Sequence, residues 1–147
     1  ITAVGETSGV SGQLILDGSG DVVAGSTITV DITTLRSDET KRDRWVRKNG
    51  GLGEKVVFTV ENISNLPWPI PNEGEAKIRL EGNLLIAGVS KATQWDSSIN
   101  FRGSSISGLA ATEIGWKEFS LSKPNMFFII SVDDRFILEI EFEVEYH

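Results

Sequence analysis

Apolar and polar residues alternate along much of the chain, and a period of two is typical of β-strands with one buried face. The clearest case covers residues 136–146, where every second residue is aromatic or aliphatic and the residues between 139 and 145 on the other parity are all glutamates. The same analysis predicts further strands, at residues 10–16, 27–33, 56–61, 76–86, 93–101 and 106–112. Residues 126–132 add a candidate strand whose continuous apolar character leaves its faces undefined.

Turn-forming residues separate these strands, and one segment carries helical signals instead. Glycine-rich turns are predicted at residues 17–20, 49–51, 72–74 and 102–104. A helix is predicted over residues 35–48, with Ser37 as its N-cap, Asp38 in its first turn and Arg47 near its end. That charge order complements the helix dipole.

Several long alternating strands and one short helix predict an all-β fold, an antiparallel β-barrel. Closing a sheet into a barrel protects strand edges that would otherwise be exposed. The chain has 147 residues and no internal linker, so residues 1–147 are predicted to form a single domain. A barrel of about eight strands can hold one small ligand.

Charge and composition exclude several partners and chemistries. With 14 basic and 21 acidic residues the net charge is −7, which repels phosphate backbones and makes nucleic acid an improbable partner. The longest purely apolar run, residues 126–130, is too short to span a bilayer, so no transmembrane segment is predicted. The chain has no cysteine and one histidine, the terminal His147. No Ser-His or Cys-His nucleophile, metal site or cofactor is therefore predicted.

The glutamates at 139, 141, 143 and 145 raise the alternative of a glycosidase carboxylate pair. Such acids flank the scissile bond from opposite sides, about 5–9 Å apart. Carboxylates two residues apart on one strand project side by side instead. We therefore expect these glutamates to form a solvated outer face.

Four stretches of sequence carry a family resemblance that spans residues 3–142. They are Ala3-Val4-Gly5 through Leu14, Ile28-Thr29-Val30-Asp31 through Asp43, Gly82 through Lys91, and Ser131-Val132-Asp133-Asp134 leading into the last strand. In order and spacing they resemble the YceI-like, polyisoprenoid-binding proteins. The resemblance implies a lipocalin-like barrel whose apolar lumen holds an isoprenoid or related lipid chain, without catalysis, in a periplasmic or secreted protein.

The chain also departs from that family's usual pattern. Residues 53–58 replace the motif that leads into the fourth strand, residues 116–120 replace an Ala-Asp-Phe-Gly stretch, and Ala87 stands where histidine is usual. The family's first strand has no counterpart before Ile1. We expect the native polypeptide to be longer at its N-terminus, or a homodimer partner to supply the strand by β-augmentation.

Aromatic and aliphatic residues supply the candidate ligand site. We predict that an apolar lipid contacts three sets of residues. They are the alternating apolar positions of the strands, positions of the predicted helix, and positions of the irregular region before the last strand. They are Leu35, Trp45, Phe58, Ile78, Leu80, Trp95, Ile99, Phe101, Phe119 and Phe127. Among them Ile78, Leu80, Trp95, Ile99 and Phe101 are predicted to face inward, with Trp45 near one mouth.

Two other functions remain open from the sequence. One is a carbohydrate-active β-sandwich enzyme that uses two carboxylates. The other is a structural or adhesion module with a fully packed interior. Lipid binding is favoured over both because a barrel of this size need not fill itself with side chains.

Overall fold

A computed structural model describes residues 8–34, 54–119 and 135–146, without the side chains of Trp116 and Phe136. Within them, seven antiparallel strands form one sheet in the order β1-β2-β3-β4-β5-β6-β7, curled into a half-barrel. The strands are β1 Val10–Gln13, β2 Thr27–Asp31, β3 Lys55–Ser64, β4 Glu73–Ile86, β5 Val89–Arg102, β6 Ser105–Gly115 and β7 Arg135–Glu145. The all-β, lipocalin-like fold predicted from the sequence is confirmed.

The long hairpin of β4 and β5 forms the middle of the sheet. Each strand has 14 residues, and they pair in one uninterrupted register from Glu73↔Arg102 to Ile86↔Val89. The connecting residues Ala87 and Gly88 have φ values of 49° and 82°. Two successive positive φ values are those of a type I′ turn, whose twist matches that of the flanking strands.

One face of this sheet carries the apolar core, as the alternation predicts. From Ile78 to Ile86 on β4 and from Thr93 to Phe101 on β5 every second residue is buried, including Leu80, Trp95 and Ile99. These residues face inward as predicted. The neighbouring strands continue the core with Phe58 and Val60 on β3 and Ala110 and Ile114 on β6.

Gly82 lies on this inner face opposite a β-bulge. The pairing of β3 with β4 shifts between Val60, which pairs with Gly82, and Asn62, which pairs with Glu81. A side chain at position 82 would collide with the carbonyl oxygen of Thr59 and crowd the backbone of Val60. Glycine therefore permits the close approach of the two backbones at the bulge.

The structure corrects several predicted boundaries. The strand predicted over 27–33 ends at Asp31 and passes into a 3-10 helix, Ile32–Thr34, and the strand predicted over 10–16 ends at Gln13. β4 begins at Glu73, inside the turn predicted at 72–74. A second 3-10 helix, Trp116–Phe119, follows β6. The helix predicted over 35–48 and the strand predicted over 126–132 lie outside the described residues.

Asp31 accounts for the early end of β2. Its carboxylate accepts hydrogen bonds from the Thr33 backbone N–H at 3.0 Å and the Thr33 hydroxyl at 2.5 Å. These two bonds, with the nearby Lys55 charge, lower the pKa of the Asp31 carboxyl below its ordinary value. A local carboxylate cap of this kind competes with the continuation of the strand ladder.

Replacing Gly82 with alanine is expected to destabilise the fold by about 3 kcal/mol, because the added methyl meets fixed backbone and has no space to relax into. Urea unfolding measures the change. The matched control is Gly18→Ala, where an added Cβ has nothing within 4 Å. That variant should stay within about 0.5 kcal/mol of the original protein. Equal effects of the two substitutions would contradict the role given to Gly82.

Candidate functional site: the concave face

On β4 and β6 the inner face is more exposed at one end of the half-barrel than at the other, whereas on β5 it stays buried from Thr93 to Phe101. Along β4 the exposed fraction is 1% at Ile86, 1% at Leu84, 7% at Leu80 and 8% at Ile78, and Ala76 is only half-buried. On β6 the inner-face residues Ile114, Thr112 and Ala110 are 1%, 9% and 3% exposed, and Gly108 and Ile106 are half-buried. We call the end near Ile114 the closed end and the end near Ile106 the open end.

Phe119 fills the closed end. The 3-10 helix Trp116–Phe119 leaves β6 at Gly115 and lies against β5, which leaves Phe119 only 1% exposed. Glu118 ties this helix to the start of β7, because its carboxylate accepts a hydrogen bond from Arg135 at 3.0 Å. Both side chains are about half exposed, at 47% and 50%. The ion pair is therefore worth at most about 1 kcal/mol, and the burial of Phe119 holds the helix more firmly.

Trp95 and Phe58 form an aromatic pair above Gly82. Their ring centroids are 5.2 Å apart and the planes are tilted by 36°. Phe58 pairs with Leu84 and Trp95 with Leu80, so Gly82 lies between them and leaves room for the rings to meet. The indole N–H of Trp95 donates to the buried hydroxyl of Thr93 at 3.1 Å, which fixes the orientation of the ring.

The buried hydroxyl groups are all engaged within the protein. Ser97 donates to the Leu109 carbonyl at 3.0 Å and Thr112 to the Gln94 carbonyl at 2.8 Å. Ser26 donates to the Val23 carbonyl at 2.8 Å, and Thr93 accepts from Trp95. In the described part of the chain, no buried side-chain nitrogen or oxygen lacks a partner. The inner face thus presents hydrocarbon and aromatic surface.

Acidic side chains lie on the outer face of β7, as expected. Glu139, Glu141, Glu143 and Glu145 are exposed and alternate with the half-buried Leu138, Ile140 and Phe142. Their neighbours across β6 include Ala111 and Leu109, and the carboxylates project side by side from one strand. This is not the arrangement of two acids that flank a sugar bond.

Three connections meet at the open end. They are residues 14–26 between β1 and β2, residues 65–72 between β3 and β4, and the Gly103-Ser104 turn between β5 and β6. The Gly103 N–H donates to the Asn72 carbonyl at 2.8 Å, which joins the second connection to the third. Tyr146, just after β7, donates its hydroxyl to the Gly103 carbonyl at 3.1 Å. The rim of the open end is thus held by bonds between elements distant in sequence.

The predicted site residues divide into two groups. Phe58, Ile78, Leu80, Trp95, Ile99, Phe101 and Phe119 are all deeply buried in the core. Leu35, Trp45 and Phe127 lie outside the described residues. Whether any of them contacts a ligand remains a prediction.

One accessible part of the concave face was not singled out from the sequence. It consists of Ile106 and Gly108 on β6 with Ile140, Phe142 and Val144 on β7, which we call the β6–β7 strip. Pairing places Ile106 opposite Val144 and Gly108 opposite Phe142. Val144 is 46% exposed, whereas Phe101, next to Ile106 on β5, is 4% exposed. Strand alternation places Val144, Ile106 and Phe101 on the same inner face. Whether such a residue is exposed or buried depends on its position in the sheet, which alternation does not give.

The described ranges also bear on metal binding and on membrane-spanning helices. There, no group of three or more His, Asp or Glu residues is placed to hold a metal ion. Nor is any helix in those ranges both long and apolar enough to cross a membrane.

Replacing Thr93 with valine should destabilise the protein by about 1–3 kcal/mol, because the shape is kept while the buried indole N–H of Trp95 loses its acceptor. Chemical unfolding followed by tryptophan fluorescence measures the loss. Thr59→Val makes the same substitution at an exposed position of β3 and should have little effect. An unchanged stability for Thr93→Val would mean that this bond does not hold the ring.

Comparisons with known proteins agree with this architecture. A family model described as YceI-like domain matches residues 2–144. Among solved structures, the Campylobacter jejuni YceI protein superposes with a TM-score of 0.75 at 21% identity, covering 100% of this chain and 86% of that one. Burkholderia cenocepacia BcnA gives a TM-score of 0.63 at 16% identity, over 91% of this chain and 81% of that one. A search of curated proteins found no match.

YceI-like proteins are generally binding proteins and commonly periplasmic. The chain belongs to the YceI-like family.

Proposed function

We propose that the protein binds an apolar lipid chain, isoprenoid or quinone-like, along the concave face and carries or sequesters it without catalysis. One observation carries the proposal: the inner face is mainly hydrocarbon and aromatic from Phe119 at the closed end to Phe142 towards the open end, with the hydroxyls of Thr93, Ser97 and Thr112 between. Its buried hydroxyls are already bonded within the protein. A ligand on such a face would be bound by dispersion forces and by the removal of apolar surface from water, and not by hydrogen bonds.

The gradient of exposure gives the ligand a direction. The β6–β7 strip is a part of the inner face that solvent reaches, and Val144 is its most exposed member, so a chain would first contact Ile106, Phe142 and Val144. It would then extend towards Trp95 by displacing the side chains that pack there. Each buried methylene contributes about 0.8 kcal/mol, so chain length rather than a charged headgroup would determine affinity.

Family membership is consistent with this proposal, and it also bears on the compartment. We propose that the protein acts in the periplasm or as a secreted protein, where a lipid chain in transit needs shielding from water.

The alternative function, a glycosidase, has little support, because the glutamates of β7 lie on the outer face.

Organic extraction of the protein purified from cells, followed by mass spectrometry, tests the proposal directly. We expect a long-chain apolar compound in stoichiometric amount. Protein that carries none, and whose tryptophan fluorescence does not respond to farnesol or decylubiquinone, would contradict it. A response to stearate equal to that of farnesol would refute the preference for isoprenoid chains.

The substitution Val144→Glu should lower affinity for farnesol about tenfold or more, because it places a carboxylate beside the bound hydrocarbon at the open end. Fluorescence titration measures the change. The control is Ile137→Glu on the same strand, which is 63% exposed and on the parity of the outer glutamates. It adds the same charge and should leave binding unchanged. Equal losses in both variants would indicate a general effect of charge and not a site on the concave face.

A further inference from the structure

The rim of the open end carries apolar side chains that the concave face does not account for. Leu14 is 46% exposed, Ile15 38%, Val23 39% and Trp68 41%. They belong to two connections, residues 14–26 and 65–72, that lie at the same end of the sheet. A cluster of exposed apolar side chains at one end of a small domain indicates an interaction surface.

Ile15 and Val23 are held side by side by a short, well-bonded hairpin. Leu16 pairs with Val22, and the Val23 N–H donates to the Ile15 carbonyl at 2.8 Å, which sets Ile15 opposite Val23. At the base, the buried Ser26 hydroxyl accepts from the Ile15 N–H at 2.9 Å and donates to the Val23 carbonyl. These two side chains therefore remain at the surface because the backbone beneath them is fixed.

Trp68 rests on the tip of the same hairpin. Its indole N–H donates to the Gly18 carbonyl at 3.1 Å. Its ring lies against Gly20, where even a Cβ atom would come within 2.7 Å of it. Because the only polar atom of the ring is already bonded, the exposed part of Trp68 is apolar.

The charges around these side chains restrict the partner. Residues 14–26 and 65–72 contain two carboxylates, Asp17 and Asp21, and no lysine or arginine. The whole chain has a net charge of −7. An anionic surface would repel the protein, whereas a zwitterionic surface has no net charge and presents ammonium groups that these two carboxylates can contact.

We propose that the open end docks on the surface of a zwitterionic lipid bilayer. Ile15, Val23 and Trp68 enter the headgroup region, and Asp17 and Asp21 face the ammonium groups of phosphatidylethanolamine. Trp is well suited to this depth, since its ring is amphipathic. The inference rests on the proposed function: the β6–β7 strip opens at this same end, so a docked protein could take up an apolar chain without passing it through water.

Flotation with vesicles tests the docking surface. The full chain is mixed with vesicles of phosphatidylcholine and phosphatidylethanolamine, and the bound fraction is compared with that on vesicles containing phosphatidylglycerol. We expect binding to the zwitterionic vesicles, weaker binding to the anionic ones, and a loss of at least about fivefold for Trp68→Ala. Leu109→Ala, a residue equally exposed at 41% but on the wall of the sheet, should bind as the original protein does.

Three results would overturn the inference. The first is equal flotation of Trp68→Ala and the original protein, and the second is stronger binding to the anionic vesicles. The third is no flotation together with a dimer that Trp68→Ala abolishes. Ligand extraction on the same samples separates the two proposals. Protein that carries lipid but does not float contradicts the docking surface alone, whereas protein without lipid contradicts the proposed function. Flotation by Val144→Glu, whose ligand binding is impaired, would support docking as a separate property of the rim.

Discussion

The register of the β4–β5 hairpin is the constraint on which the rest of the sheet depends. Because side chains alternate between faces, a slip of one residue would turn Lys77, Arg79 and Glu81 inward and expose Ile78 and Leu80. The two-residue turn at Ala87 and Gly88 opposes such a slip, since both residues adopt positive φ. β3 then pairs with β4 and β6 with β5, so an error in the hairpin would pass to both neighbours.

The concave face combines firm packing with one accessible end. At the closed end Phe119, Ile114 and Leu84 are each 1% exposed, so this part behaves as an ordinary hydrophobic core. Towards the open end the same parity becomes half-buried on β4 and β6 and reaches 46% exposure at Val144 on β7, whereas Phe101 on β5 stays buried. The difference arises from sheet geometry: the closed end has Phe119 packed across it, whereas the described side chains of β7 at the other end have less cover. One continuous apolar surface can therefore stabilise the fold at one end and remain available at the other.

Strand alternation predicted most of this fold because it reflects a local geometric rule. Trp95, Ile99 and Phe101 could be placed inward from their spacing alone, and so could the outward glutamates of β7. Three features could not be predicted, since none has a local signature. The bulge between Val60 and Asn62 depends on the partner strand, the contact of Trp68 with Gly20 joins distant segments, and the exposure of Val144 depends on its place in the sheet.

The strand order has a consequence for how the chain acquires its structure. Each described strand pairs with the described strands that precede and follow it in sequence. Every hairpin from β3 to β6 can close over a short connection, so little chain entropy is lost before each new contact is gained. We infer that the sheet grows outward from the β4–β5 hairpin, one strand at a time. In a protein that folds in this order, the apolar inner face forms progressively. The outermost described strands, β1 and β7, add to it last.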